Sequence, residues 1–226
     1  MNDMVFIGWD VGGWHGQKNS LAVIDINGQL VEGFPITIEN IRDEEAFIKM
    51  INHFPKFVLG IDSPLRFPKA FKDLLNDSLK GLIKQDYKMI QNPLAYRYTD
   101  KKIHQVFEKH PLSASFDKLG NPATVAMYYI NKFKEQLECS ILPFDTKSEN
   151  RNVIEVYPAI LDPDVFFKHG KIFECYEEMK AKGKTGDEKD AIKAAFIALA
   201  VYKNGFKTYA DAGEDLSEGW IYYVAE

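Results

Sequence analysis

Residues 4–13 read MVFIGWDVGG: an apolar run from Met4 to Trp9, closed by Asp10 and released into Gly12 and Gly13. A short run rich in Val, Phe, Ile and Trp, bounded by a glycine turn, has the pattern of a buried strand. Asp10 gives the run its interest. A carboxylate at the edge of an apolar core is costly to desolvate, so an acid at the end of a buried strand implies a partner or a ligand.

Outward from this strand, Leu21–Ile26 resumes strand character, Asn27-Gly28 is a hairpin signal, and residues 29–38 alternate loosely, so that the first forty residues predict a three-stranded meander. Asp43, Glu44 and Glu45 then open a helix that runs through Asn52, the acids lying at its positive end. Phe57–Ile61 predicts a second buried strand, again closed by an acid, Asp62, before Ser63-Pro64. From Pro64 to Asn150 the periodicity is helical, with scattered Pro and Gly and no convincing strand. This stretch has no linker at either end and reads as an insertion within one domain spanning 1–226. Its clearest helix covers 122–138, with Pro122 in the favourable first turn. Val153–Tyr157 predicts a further buried strand carrying Glu155, and residues 187–202 a helix with Ala191, Ala194, Ala195, Ala198 and Ala200, small side chains that allow close approach to a sheet. The segment WIYYV, 220–224, reads as a closing edge strand or a packed tail.

The order of elements, three strands, helix, strand, helical insertion, strand, helix, is that of a ribonuclease H-like α/β fold: a mixed five-stranded sheet in the order 3-2-1-4-5, flanked by helices. In that arrangement Asp10 and Asp62 end adjacent parallel strands about 4.8 Å apart, at the end of the sheet where ligands bind in α/β folds. Asp187 and Asp190, three residues apart, share a helical face in the first turn of the last helix. Carboxylates gathered in this way repel one another, and a divalent cation offsets the repulsion. Asp10, Asp62, Glu155 and Asp190 are therefore the expected catalytic acids, and the same four with Asp187 the expected metal ligands, for Mg²⁺ or Mn²⁺ and with two ions expected. Lys18, Arg97 and Asp100 are candidates for substrate binding: a guanidinium grips phosphate bidentately and a neighbouring carboxylate orients it. Each also has an ordinary structural role available, as a turn former, a helix-dipole acid or a surface ion pair.

The segments GWDVGGWHGQK, VLGIDSPL, YRYTD, VIEVYPA, DEKDAIKAAFIALA and EGWIYYV, in this order, resemble the uncharacterised domain-of-unknown-function family 429, regarded as predicted nucleases of ribonuclease H-like fold. The resemblance runs from about residue 4 to residue 224. The Asp-x-x-Asp-Ala start of the alanine-rich helix is also similar to the RuvC-type resolvase pattern. The resemblance implies acidic site positions at Asp10, Asp62, Glu155 and Asp190, with Asp187 beside them. Gly186 stands where the family often has the first of two adjacent acids.

Composition narrows the functional classes. A net charge of −5 argues against bulk electrostatic attraction to duplex nucleic acid, which depends on Lys and Arg displacing counterions. The stretch from Lys69 to Lys102 nevertheless carries Lys69, Lys72, Lys80, Lys84, Lys88, Arg97, Lys101 and Lys102, in the pattern of a solvated helical surface or a local basic face. No apolar run approaches a membrane span, and the N-terminus enters a strand without a signal-like region, so a cytoplasmic protein is expected. Cys139 and Cys175 have neither disulfide nor metal spacing. His15, His53, His104, His110 and His169 show no metal spacing either. Tyr128, Tyr129, Phe133, Phe166, Phe167 and Phe196 read as core.

The expected function is a divalent-metal-dependent nuclease acting on nucleic acid, with a homodimer possible. Two alternatives remain from sequence: a non-catalytic binding or regulatory module of the same fold, and an actin- or sugar-kinase-like nucleotide-binding protein, in which Asp10–Gly13 and Asp211–Gly213 would form the phosphate loops.

Overall fold

The computed structural model describes residues 4–15, 18–78, 89–145, 148–161, 175–207 and 216–223. Its centre is a mixed six-stranded sheet ordered β3-β2-β1-β4-β6-β5, where β1 is Val5–Asp10, β2 Asn19–Ile24, β3 Ile36–Ile38, β4 Phe57–Asp62, β5 Ser140–Ile141 and β6 Arg151–Glu155. The sequence pattern predicts five strands in the order 3-2-1-4-5 and none within the insertion, and both expectations need correction. A two-residue strand, β5, pairs parallel with Asn152 and Val153 on the outer edge of β6. Two residues are too few to show a period-2 alternation, which is why sequence leaves this strand invisible. The expected meander is present, β1 pairing antiparallel with β2 and β2 with β3. The turn at Asn27-Gly28 is held by the Asp25 carboxylate, which accepts the backbone N–H groups of Asn27 and Gln29 at 2.8 and 2.9 Å, and Gly28 supplies the positive φ of 79°.

The helices are α1 (Glu44–Asn52), α2 (Lys69–Leu75), α3 (Tyr98–Phe107), α4 (Gly120–Leu137), α5 (Tyr176–Ala181) and α6 (Gly186–Lys203). Asp43 caps α1 by accepting the Ala46 N–H at 3.2 Å. One face of the sheet, bearing Ile7, Trp9, Leu59, Ile61 and Val153, packs on α1 and α4 through Phe47, Tyr129 and Phe133. On the other face, Phe6, Val58, Ile154 and Val156 lie under α6. Tyr129, Phe133 and Phe196 are core, as expected; Tyr128 is 39% exposed, donates to Glu44 and meets the Trp14 ring edge-on at 5.5 Å, on the outward side of α4 rather than facing the sheet. Phe166, Phe167 and His169 lie outside the described residues.

The closeness of α6 to the sheet is written in two glycines. A Cβ on Gly8 would stand 1.9 Å from the Ala191 carbonyl oxygen, and one on Gly60 would stand 2.8 Å from that of Ala194. Both strands therefore carry a residue without a side chain where the helix crosses them, and α6 answers with Ala191, Ala194, Ala195 and Ala198, all buried. Thr185 caps the helix through the Glu188 N–H at 3.1 Å. Glu188 turns back to accept the Lys184 N–H at 2.6 Å and the Thr37 hydroxyl at 3.2 Å, which ties β3 to the helix start.

The C-terminal segment makes a single parallel bridge, Ile221 to Glu155, and buries Trp220, Ile221, Tyr222 and Tyr223. It is the packed tail of the two sequence alternatives, seated beyond the point where β5 stops. Glu218, just before it, accepts the first N–H of two helices: Lys69 of α2 at 2.5 Å and Tyr98 of α3 at 3.0 Å.

Candidate functional site

Parallel pairing of β1 with β4 sets Asp10 directly beside Asp62. Alternation along each strand then puts both carboxylates on the α6 face, two residues beyond Gly8 and Gly60. Because the glycines bring α6 down onto the strands, its first turn lies over these strand ends. Asp187 and Asp190 act on Asp10 electrostatically, and Asp190 also acts on Asp62. Burial, reinforced by Asp187 and Asp190 and opposed by Lys193, pushes the Asp10 carboxyl up to about 7. Asp62 is raised well above the ordinary carboxyl range, first by burial, then by Asp10, Asp190 and Glu155, again against Lys193. Four of the five acids expected from sequence thus share one end of one face.

Glu155 reaches the same strand ends from the other face. β6 pairs with β4 through Ile61 and Glu155, so Glu155 lies one step out of phase with Asp62 and on the face of Ile61 and Val153. Its carboxylate is engaged by Arg97, whose Nη1 donates to Oε2 at 2.8 Å and Nη2 to Oε1 at 2.6 Å, and the Leu65 N–H adds a bond of 3.0 Å. Arg97 reaches in from the start of α3 and is only 1% exposed. It also donates from Nε and Nη2 to Asp100 at 3.1 and 2.8 Å, while Asp100 accepts the Arg97 backbone N–H at 2.8 Å. Burial alone would weaken the guanidinium's hold on its proton; the charges of Asp100 and Glu155 outweigh burial and raise its pKa. For Glu155 burial raises the carboxyl and Arg97 pulls it back. Arg97 and Asp100 are thus spent mainly on each other and on Glu155, with one Nη1 hydrogen remaining beside Gly219, whose φ of 100° and missing Cβ let the chain pass over the guanidinium. Lys18 is exposed at the foot of β2.

Sequence reasoning missed four residues. Lys193 lies three residues after Asp190 and pairs with it at 2.6 Å; the i, i+3 spacing was readable, but its reach to Asp10 and Asp62 depends on how α6 crosses the sheet. Ser63, next to Asp62, is buried with an unpartnered hydroxyl, as is Ser20, which sits opposite Asp10 on β2. Asn19 pins the turn after Asp10, its side-chain oxygen accepting from Trp9 Nε1 at 3.1 Å and from the Gly12 N–H at 2.9 Å.

Asp10, Asp62, Ser63, Arg97 and Glu155 line a common cavity of ≈ 200 Å³. A larger hollow of ≈ 630 Å³, near Lys134, Asp145 and Asn150, lies at the opposite end of β6, away from these acids. The donors on the α6 face are all carboxylate oxygens, hard ligands suited to Mg²⁺, Mn²⁺ or Ca²⁺. No three His, Cys, Asp or Glu side chains among the described residues are arranged as a ready-made ion cage. What converges is negative charge, held close by the backbone. Cys139 is buried, its thiol pushed up to about 12 by burial, and both cysteines are free.

Fold and site define a mixed α/β protein with a carboxylate-lined sheet end. No family model, curated protein or solved structure matches this chain. Asp211–Gly213, the second phosphate loop of the nucleotide-binding alternative, falls outside the described residues. No helix among the described residues is long and apolar enough to cross a membrane.

Proposed function

We propose that this protein is a divalent-metal-dependent nuclease of ribonuclease H-like type, a relative of the domain-of-unknown-function family 429 that its motifs resemble. The observation that carries the reading is the in-register pair Asp10 and Asp62 beneath the first-turn acids of α6. Four carboxylates held together with only Lys193 to offset them destabilise the fold that gathers them, an arrangement suited to a site where a ligand makes use of it. Mg²⁺ or Mn²⁺, two ions in the reading from sequence, would supply Lewis-acid activation of the phosphodiester and of the attacking water.

The chain's own residues divide the remaining work. Asp10 and Asp62 are the principal ligands, fixed by strand register rather than by flexible loops. Asp187 and Asp190 complete the set from α6. Lys193 holds Asp190 in place at 2.6 Å and offsets part of the surplus negative charge. Glu155, assigned to the ligand set from sequence, serves here with Arg97 and Asp100 to fix the segment after β4, through its bond to the Leu65 N–H. A nuclease assay with Mn²⁺ tests the reading: cleavage is expected to vanish with EDTA and to fall at least about a hundredfold in Asp10→Asn, the scale of loss when a key transition-state contact goes. Cleavage indifferent to both would sink it.

A second reading, a non-catalytic binding module, is favoured by one observation: Glu155 and Asp190 already carry protein cations, Arg97 and Lys193. Calorimetry with Mn²⁺ separates the two, since the nuclease requires binding that Asp62→Asn abolishes and the module does not.

A further inference from the structure

The cavity beside Asp62 has the size and lining for one flat ring. Its ≈ 200 Å³ lies below the roughly 300–1,000 Å³ of pockets that enclose drug-sized ligands, so a base pair does not fit. Pro64, Leu112, Leu119 and Tyr157 form apolar walls opposite the carboxylates. Among its lining residues, Ser63 is 3% exposed and its Oγ has no hydrogen-bond partner. An unpaired buried hydroxyl costs about 1–3 kcal/mol, which a ligand's ring nitrogen or carbonyl would recover.

The segment that supplies the Leu112 wall extends this chemistry. Leu112 is 48% and Phe116 57% exposed, both on the segment that supplies the wall. Phe116 meets Phe71 edge-on at 6.0 Å, and Phe71 meets Phe67 at 5.4 Å. An exposed aromatic on the segment that walls a one-ring slot suits unpaired bases, which stack on aromatic faces irrespective of sequence.

We propose that this cavity takes a single unpaired nucleobase, so that the substrate is single-stranded nucleic acid or an unpaired end, its adjoining phosphate set against the Asp10–Asp62 rim. The phosphate placement rests on the nuclease reading; the base pocket is separable from it. The probes are a fluorescent single strand of about ten nucleotides and the same sequence closed into a blunt hairpin, compared by anisotropy in Ca²⁺. The single strand is expected to bind about tenfold more tightly than the hairpin, and Leu112→Asp, at an exposed position that leaves the core intact, to weaken it about tenfold, the worth of one stacked base. Ser63→Ala should weaken it by a smaller factor. Equal binding of the hairpin, indifference to Leu112→Asp, or no binding of either probe overturns the assignment. Cleavage measured in Mn²⁺ alongside reports on the other reading: single-strand binding without cleavage rejects the nuclease and leaves the pocket standing.

Discussion

Asp10 carries the most readable consequence of the site's electrostatics. Its carboxyl is raised from 3.8 to about 7 in the fold, so between these values the folded chain holds a proton that the unfolded chain has released. Stability from this group is therefore full below about pH 4 and is lost as pH rises through about 7. Asp62 is raised as well and acts in the same direction. In EDTA the urea midpoint is expected to fall from pH 5 to pH 8, and Asp10→Asn to flatten that slope; a midpoint rising over the same interval would contradict the assignment. In the proposed metal-dependent reading Mn²⁺ would compete with those protons, so its stabilisation of the protein, read as a thermal shift, should grow over the same pH interval. Arg97 makes the opposite case. It is a buried cation that satisfies two buried carboxylates, and Arg97→Met leaves both unpaired, with an expected loss of about 3–5 kcal/mol by chemical denaturation. Glu155→Gln, which keeps a hydrogen-bonding group in place, should cost less.

Helix α6 and the strands beneath it behave as one device. Gly8 and Gly60 hold no side chain because the helix backbone occupies that space, and the first turn of α6 reaches Asp10 and Asp62 only at this close approach. Gly8→Ala forces a Cβ to within 1.9 Å of the Ala191 oxygen and is expected to cost about 3 kcal/mol or more, because a backbone clash in a packed layer cannot be relieved by a rotamer change. Gly60→Ala, with more room at 2.8 Å, should be milder; equal stability of both variants and the parent in urea would show that the layers can separate. The alanines of α6 and the apolar runs of β1 and β4 made this layer legible in sequence, as did the acids at their ends. The phase of β6 was not legible. VIEVY allows Glu155 either face, and the choice comes from the pairing of Ile61 with Glu155, a long-range register that no local pattern encodes. β5 was hidden by its length of two residues.

In the whole molecule, the insertion and the C-terminal segment meet around the site rather than beside it. α3 delivers Arg97, the loop before α4 delivers Leu112 and Leu119, and Glu218 ties the starts of α2 and α3 together. Sequence marked 64–150 as a helical insertion and 220–224 as an edge or tail, yet it could not show that one carboxylate caps two helices, since those partners lie 149 and 120 residues away. Glu218→Ala removes both caps and is expected to cost about 2 kcal/mol, roughly one per cap, with α2 and α3 losing amide-exchange protection together; loss confined to one of them would mean the two are not coupled.

Ribosomes release this chain from its first residue onward, and the position of Glu218 gives that order a meaning. A nascent polypeptide halted before residue 186 holds Asp10 and Asp62 but lacks Asp187, Asp190 and Lys193, and one halted before 218 lacks the clamp over α2 and α3. The acidic rim therefore cannot come together until residues 186–193 have joined the sheet, so a fragment ending earlier has two strand-end carboxylates and no helix to meet them.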